Sequence, residues 1–455
     1  MARFTAVSLV QLFLSATGVF AGLEVDVEDA ASVKKAAALV AEDLMSFYKG
    51  EITGLLPGPP PDGDYYPWTG GALWAAMLDY RSHTGDTQYD EKISAGLLWQ
   101  RGPNDDYLAP NWSISTGNDD QAIWAMAALL AAETGFTESG GDDPKWLTLA
   151  QNVFDEQSTE TRRVDNGSCA GGLRWQIFPT NNGYNWVATS ANVAYANLGA
   201  RLSLQDGENK TQPQLVEDTF DWLETAKFID SKFNVYDGAQ ANDCDQINKI
   251  QFSYVSAFAL EGAAAMYNLT TEEKWKTLVD GLTKRTIEVF FPDGVATDVA
   301  CEPDRCNTDA TFYKAFLHRS LASTMKLAPH TASLILPALK TSAAAAAKSC
   351  TGGDNERMCG LTWTGSFDNQ TGAGSQMSVL SALLSLLPTE KAVASPGSST
   401  GDNETGSITT PSASSSTTPG GSSQSSTVPG NSGAHATTSS IVLLSGLLLA
   451  SVVLN

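Results

Sequence analysis

The chain is 455 residues long and carries 51 Asp and Glu against 28 Lys and Arg, a formal net charge of −23. So acidic a protein is repelled by nucleic acid and by anionic lipid, which excludes both as partners. His83, His318, His330 and His435 are scattered and offer no zinc set or Ser-His-Asp arrangement, and no cysteine has a CxxC metal spacing.

Met1 to Ala21 opens with one basic residue, Arg3, runs apolar from Ala6 to Phe20, and ends on Val19-x-Ala21. That order reads as a secretory signal peptide, not a spanning helix. Residues 24–388 then hold twelve segments of helical periodicity and almost no alternating strand pattern. The spacing predicts helices over 30–49, 70–83, 86–100, 118–134, 144–157, 188–203, 213–228, 252–268, 271–290, 309–327, 330–348 and 374–387. Odd-numbered helices are amphipathic, as in Glu273–Arg285, so one face is solvated. Even-numbered helices are Ala/Gly/Ser-rich and apolar nearly all round, as in Gly71–Leu78 and Phe258–Met266. A helix apolar on every side is buried on every side, and small residues let it pack closely. Six such helices inside six half-exposed ones describe an all-α (α/α)6 barrel; no fixed-period motif supports a solenoid.

Links from an even helix to the next odd one are short, as at Thr84-Gly85 and Ala328-Pro329. Links from odd to even are long and hold the unusual residues: Tyr66 and Trp68, Tyr107 and Trp112, Trp175, Gln176 and Trp186, Tyr236 and Asp237, then Trp363. Alternate loops share one end of such a barrel, so these residues and all six cysteines gather on one face, where binding sites sit. The loop tryptophans suit stacking on sugar C–H faces, whereas Trp74 and Trp124 lie inside buried helices and read as core.

One buried helix starts on Asn118-Asp119-Asp120-Gln121, directly after an aromatic loop. Two carboxyls beside aromatics suit glycosidic-bond cleavage, one protonating the leaving oxygen and one meeting the oxocarbenium-like centre. The same residues also read as a plain helix cap, with Asn118 at the N-cap and Gln121 at the third helical position of a capping box. Tyr236-Asp237 likewise reads either as a sugar contact or as an Asx turn.

Residues 389–440 are Ser/Thr/Pro/Gly-rich without hydrophobic period, the composition of an O-glycosylated stalk. The apolar stretch Ile441–Leu454 follows small residues 430–433 and reads as a GPI-attachment signal with Asn431 as acceptor. The organisation is thus a signal peptide (1–21), a helical domain (22–388), a stalk (389–431) and a removed propeptide (432–455). Sequons at Asn111, Asn166, Asn209, Asn268, Asn369 and Asn403 agree with a secretory route. Six cysteines suit an oxidising compartment; proximity favours Cys301–Cys306 and Cys350–Cys359, leaving Cys169–Cys244, among fifteen formal connectivities.

The Asn-Asp-Asp-Gln start, Cys169-Ala-Gly-Gly-Leu-Arg-Trp-Gln176, Asn182-Gly-Tyr-Asn185 and Asn192 together resemble glycoside hydrolase family 76. Val235-Tyr-Asp-Gly238, Cys306-x-Thr-Asp309, Trp363-x-x-x-Phe-Asp368 and Gly374-x-Gln-Met377 extend the likeness over residues 30–388. Within the family the chain resembles the fungal GPI-anchored wall branch, the mannan endo-1,6-α-mannosidases. The resemblance implies a retaining glycosidase at the cell surface, without cofactor or metal, with Asp119 as nucleophile and Asp120 as acid/base. It further implies sugar contacts from Asn118, Gln121, Trp68, Trp175, Gln176, Tyr236, Asp237, Tyr254 and Trp363. The expected partners of this monomer are α-1,6-mannan or GPI-glycan mannose chains, with wall β-glucan as acceptor if it transfers rather than hydrolyses. A non-catalytic mannan-binding wall protein is the remaining alternative. The family's Tyr-Asn-Gln-Gly stands here as Tyr254-Val-Ser-Ala257, which removes two amides.

Overall fold

The computed structural model describes residues 22–60, 63–206 and 209–388. The expected signal peptide, stalk and removed propeptide, with Asn403 and Asn431, lie outside the described residues. Twelve α-helices follow in order: α1 (Ala30–Met45), α2 (Trp68–Thr84), α3 (Asp90–Trp99), α4 (Asn118–Glu133), α5 (Trp146–Gln157) and α6 (Thr189–Gln205). The second half continues with α7 (Thr211–Thr225), α8 (Ser253–Thr270), α9 (Glu273–Phe290), α10 (Tyr313–Leu327), α11 (Ala332–Lys348) and α12 (Ala373–Leu384). Among the described residues no helix is long and apolar enough to cross a membrane.

The even helices pack in a closed ring: α2 against α4, α4 against α6, α6 against α8, α8 against α10, α10 against α12, and α12 back on α2. The odd helices form an outer layer around them, giving the expected barrel. Ala, Gly and Ser make the ring possible. A Cβ on Gly70 of α2 would stand 2.9 Å from the Trp124 ring of α4, closer than carbon atoms approach. Trp74 and Trp124 are indeed core, at 0% and 4% exposure. The tenth helix departs slightly from expectation: Asp309–Phe312 is a 3-10 turn leading into α10.

Five short strands among the described residues were not legible in the hydrophobic pattern. β1 (Trp186–Ala188), β2 (Gly238–Gln240) and β3 (Asp243–Asn248) form an antiparallel sheet, and β4 (Cys350–Gly352) pairs with β5 (Met358–Cys359). Both lie in the long odd-to-even links. The same links carry the three disulfides, Cys169–Cys244, Cys301–Cys306 and Cys350–Cys359. Closing such loops lowers the entropy of the unfolded chain, which matters most where loops have little core of their own. Of the sequons, Asn111, Asn166 and Asn369 are exposed. Asn268 gives its amide to Leu327 O at 3.1 Å and Asn209 gives its own to Gln212, so a glycan at either would break a bond.

Candidate active site

The N-terminal ends of the inner helices converge on a cleft of ≈ 440 Å3. Trp68 begins α2, Asp119 and Asp120 lie in the first turn of α4, Tyr254 in that of α8, and Asp309 and Tyr313 lead α10. Helix N-termini carry partial positive charge, so the scaffold presents a favourable field to carboxylates at this end.

Local geometry at α4 differs from both parts of the cap reading. The N-cap is Gly117, and Asp120 occupies the third position, accepting a 2.6 Å bond from Gly117 N–H. Glycine is required there: a Cβ would stand 2.6 Å from Asp119 Oδ1. Asn118 and Gln121, expected as sugar contacts, are instead fully buried. Asn118 bonds Arg174 O at 2.9 Å and accepts from Arg162 Nη1 at 2.7 Å. Gln121 donates to Asp106 O at 2.8 Å and to Glu156 at 3.0 Å. The side chains one position either side of the Asp pair point away from the cleft, because successive helix residues diverge around the axis. Their role is to anchor the start of α4. Arg162 centres that anchor, also pairing with Glu156. Replacing one member of a buried charged network strands its partners. Arg162→Met should therefore lower stability by about 3 kcal/mol in chemical denaturation, with urea midpoint as readout.

Asp119 is 8% exposed. Its Oδ2 accepts a 2.6 Å bond from Ser190 Oγ on α6, and Oδ1 accepts from Asp120 N–H at 3.1 Å. Burial pushes its carboxyl up, and the Ser190 hydroxyl, backbone N–H groups and the Trp175 indole pull it back. Asp120 has fewer donors. Burial first, then the Asp119 charge, hold it well above the ordinary carboxylate range. Both carboxyls are raised and Asp120 further, so Asp120 holds its proton more tightly than Asp119, the ordering that general acid catalysis needs.

Two further carboxyls flank the pair. Asp309 accepts from Trp68 Nε1 at 3.2 Å, and burial together with the Asp119 charge raises it to about 6. Asp237 accepts from Asn248 at 2.8 Å and is raised to about 6, by burial and then by Asp119. Ser190, Asp309 and Tyr313 were not among the expected sugar contacts. Asp309 sits in the quoted Cys306-x-Thr-Asp motif, and Ser190 opens a buried even helix, so both signals were present; Tyr313 had none.

Among the expected contacts, Trp68, Trp175, Gln176 and Tyr254 line the cleft. Trp175 is 36% exposed, an aromatic face open to a ligand. Tyr254 packs against Tyr313 with ring centroids 4.3 Å apart and the rings tilted by 32°. Of the altered segment 254–257 only Tyr254 reaches the cleft, since Val255, Ser256 and Ala257 are buried within the barrel. Two expected contacts are elsewhere. Trp363 is 2% exposed, with Lys314 Nζ 4.2 Å above its ring, because its loop folds back onto α10. Tyr236 gives its hydroxyl to Asp230 at 2.8 Å, closing a turn rather than facing the cleft.

Residues 32–397 match the model of Glycosyl hydrolase family 76. The chain belongs to that family. It is 39% identical to the mannan endo-1,6-alpha-mannosidase DCW1 of Candida glabrata, over 88% of this chain and 90% of that one. The DCW1 protein of Saccharomyces cerevisiae is 38% identical over 88% and 89%. Among solved structures, Dfg5 from Chaetomium thermophilum in complex with glucosamine superposes with TM-score 0.76 at 44% identity, covering 79% of this chain and 91% of that one. A bacterial α-1,6-mannanase from Salegentibacter shares the fold at TM-score 0.62 and 15% identity, over 78% of this chain and 98% of that one.

In this family member the Ser190 hydroxyl favours the ionised form of Asp119, and hydrogen bonds to charged groups contribute about 1.5–3 kcal/mol. Ser190→Ala should raise the Asp119 pKa. The acid limb of the rate–pH profile is then expected to move up by about one unit, and Ser190→Thr to restore it.

Proposed function

We propose that this protein is a retaining mannan endo-1,6-α-mannosidase acting on α-1,6-linked mannose chains at the cell surface. The observation that carries this is the Asp119–Asp120 pair at the head of a buried helix, in a cleft with an open tryptophan face. Asp119, rich in donors, is the nucleophile; Asp120, held protonated, gives its proton to the leaving glycosidic oxygen. Consecutive carboxyls suit the about 5 Å separation of retaining enzymes and leave no room for an inverting enzyme's water. Attack by Asp119 Oδ on the anomeric carbon breaks the glycosidic bond and yields a glycosyl-enzyme. Asp120, now ionised, takes a proton from water or from an acceptor sugar hydroxyl as that oxygen bonds to the anomeric carbon and the glycosyl–Asp119 bond breaks, returning Asp119 to its carboxylate. Trp175 and Trp68 supply apolar contact for sugar C–H faces, and Gln176, Asp237 and Asp309 are placed for hydroxyls.

Mass spectrometry of products from α-1,6-mannooligosaccharides, with and without a β-glucan acceptor, tests the reading. Shortened mannosides support hydrolysis, and mass-shifted acceptor supports transfer. Unchanged substrate in both reactions would leave a mannan-binding wall protein.

The chain's terminal patterning supports a lipid-anchored surface protein with Asn431 as the acceptor. Pro388, the last described residue, meets His83 Nδ1 at 3.2 Å, near the C-terminal end of α2 and away from the cleft. Phosphatidylinositol-specific phospholipase is expected to release the membrane-held protein, and its peptides should stop before Ile441. Recovery of the 441–454 stretch in mature protein would overturn this reading.

A further inference from the structure

The barrel has a second cavity, of ≈ 340 Å3, where the inner helices finish. It falls in the size range of small-molecule sites, about 300–1,000 Å3. All six inner helices contribute, from Asp79 of α2 round to Ser381 of α12. This places it at the opposite end of the barrel from Asp119 and Asp120.

Its wall is strongly charged yet balanced. Arg319 Nε meets Asp79 Oδ2 at 2.8 Å, Arg201 Nε meets Glu133 at 3.0 Å, and Arg81 Nε meets Asp90 at 2.9 Å. Burial raises the Glu261 carboxyl, but Arg201 and Arg319 outweigh it and hold it at about 2. Lys326 supplies the remaining cation. Three carboxylates of the wall, Asp79, Glu133 and Glu261, face four cations, and Asp90, paired with Arg81 from outside the lining, brings the set to balance; burial lowers His83 towards its neutral form. Apolar side chains of similar volume would close a barrel end as well or better, since desolvating ion pairs costs several kcal/mol per ion.

A wall without net charge gives no gain to an anion or a cation. It suits a neutral molecule that both donates and accepts hydrogen bonds. Acceptors are ready: Ser82, Thr134 and Ser385 hydroxyls donate back to Asp79 O, Leu130 O and Ala382 O, which leaves their lone pairs unused. Donors are present too, in the Arg319 guanidinium and the Lys326 ammonium that line the cavity. Leu130, Leu204 and Leu384 add apolar patches for C–H groups. No Trp, Tyr or Phe lines the cavity, so it lacks the stacking faces that suit an extended chain in the cleft.

We propose that this cavity is a second, non-catalytic site that binds a neutral, sugar-like polyol of about monosaccharide size.

The full chain titrated with methyl α-mannoside by calorimetry, and crystals soaked in the same compound, test this. Two binding sites are expected, with density for one ring against Arg319, Lys326 and Ser381. Ser381→Phe, which fills the cavity, should remove one site and leave turnover in the cleft unchanged. Lys326→Ala, which disturbs no ion pair, should weaken that site about tenfold if one hydrogen bond to a charged group is lost. Ordered water alone in the soaked cavity would overturn the proposal. So would capture of inorganic phosphate there, or full stoichiometry retained in Ser381→Phe. Turnover is read separately, so failure of this site and failure of the proposed activity are distinguishable.

Discussion

Asp119→Asn and Asp120→Asn should each reduce turnover of α-1,6-mannooligosaccharides by about a thousandfold or more. Losing the nucleophile removes the covalent route altogether, and losing the proton donor leaves an alkoxide to depart unaided. A thousandfold loss corresponds to about 4 kcal/mol of barrier. Stability should barely move. Asn at 120 keeps an oxygen for Gly117 N–H, the 2.6 Å bond that makes Asp120 part of the helix cap, and a lost cap would cost only about 1 kcal/mol. Asn at 119 removes a buried charge and keeps an acceptor for Ser190. Thermal unfolding and product release measured on the same samples decide the matter. Variants that keep full activity but melt earlier would make the pair a cap and nothing more.

How far the sequence reaches is clearest around that pair. The barrel was legible because its cause is local: Ala/Gly-rich segments apolar on every side can only be inner helices, and α2, α4, α6, α8, α10 and α12 form the ring. The gathering of chemistry at one end followed from loop length alone. Pairwise facts were harder. Asn118 and Gln121 belong to the same motif as the aspartates, yet helix geometry turns their side chains inward, Asn118 to Arg162 and Gln121 to Gln157. Trp363 lies in a long loop, but only the packing of that loop on Lys314 and His318 shows it to be wall rather than binding face. Strands β1 and β2 are only three residues long and β3 is mostly polar, so they exist through pairing and the Cys169–Cys244 link rather than through a pattern of their own. The far cavity was invisible for the same reason, since Asp79, Glu133, Arg201 and Arg319 come from four different helices.

Rate against pH should be bell-shaped with its optimum below neutrality. The ascending limb needs Asp119 ionised, the descending limb needs Asp120 protonated, and both limbs belong to the interacting pair. Burial raises both carboxyls, Asp120 further because Asp119 repels its ionisation, so the active window lies above the ordinary carboxylate range. Stability adds to this preference. Asp237 and Asp309, raised to about 6, hold protons in the folded state that the unfolded chain has already released. From the ordinary carboxylate pKa near 3.8 up to about 6, their contribution therefore falls as pH rises, then levels off. Glu261 works in the opposite sense: held at about 2, it stabilises above its ordinary 4.5 and that contribution is lost as pH falls towards 2. A mildly acidic optimum for both rate and stability is the expected result. Leaving-group chemistry isolates the proton donor. With an aryl α-mannoside whose phenolate departs unprotonated, Asp120→Asn should recover formation of the glycosyl-enzyme to within about tenfold of wild type, and its descending limb should vanish, because no protonated Asp120 is then required. Asp119→Asn should show no such recovery, as a better leaving group cannot replace the attacking oxygen. A profile flat through pH 8, or equal rescue of both variants, would mean that the two carboxyls do not divide the work in this way.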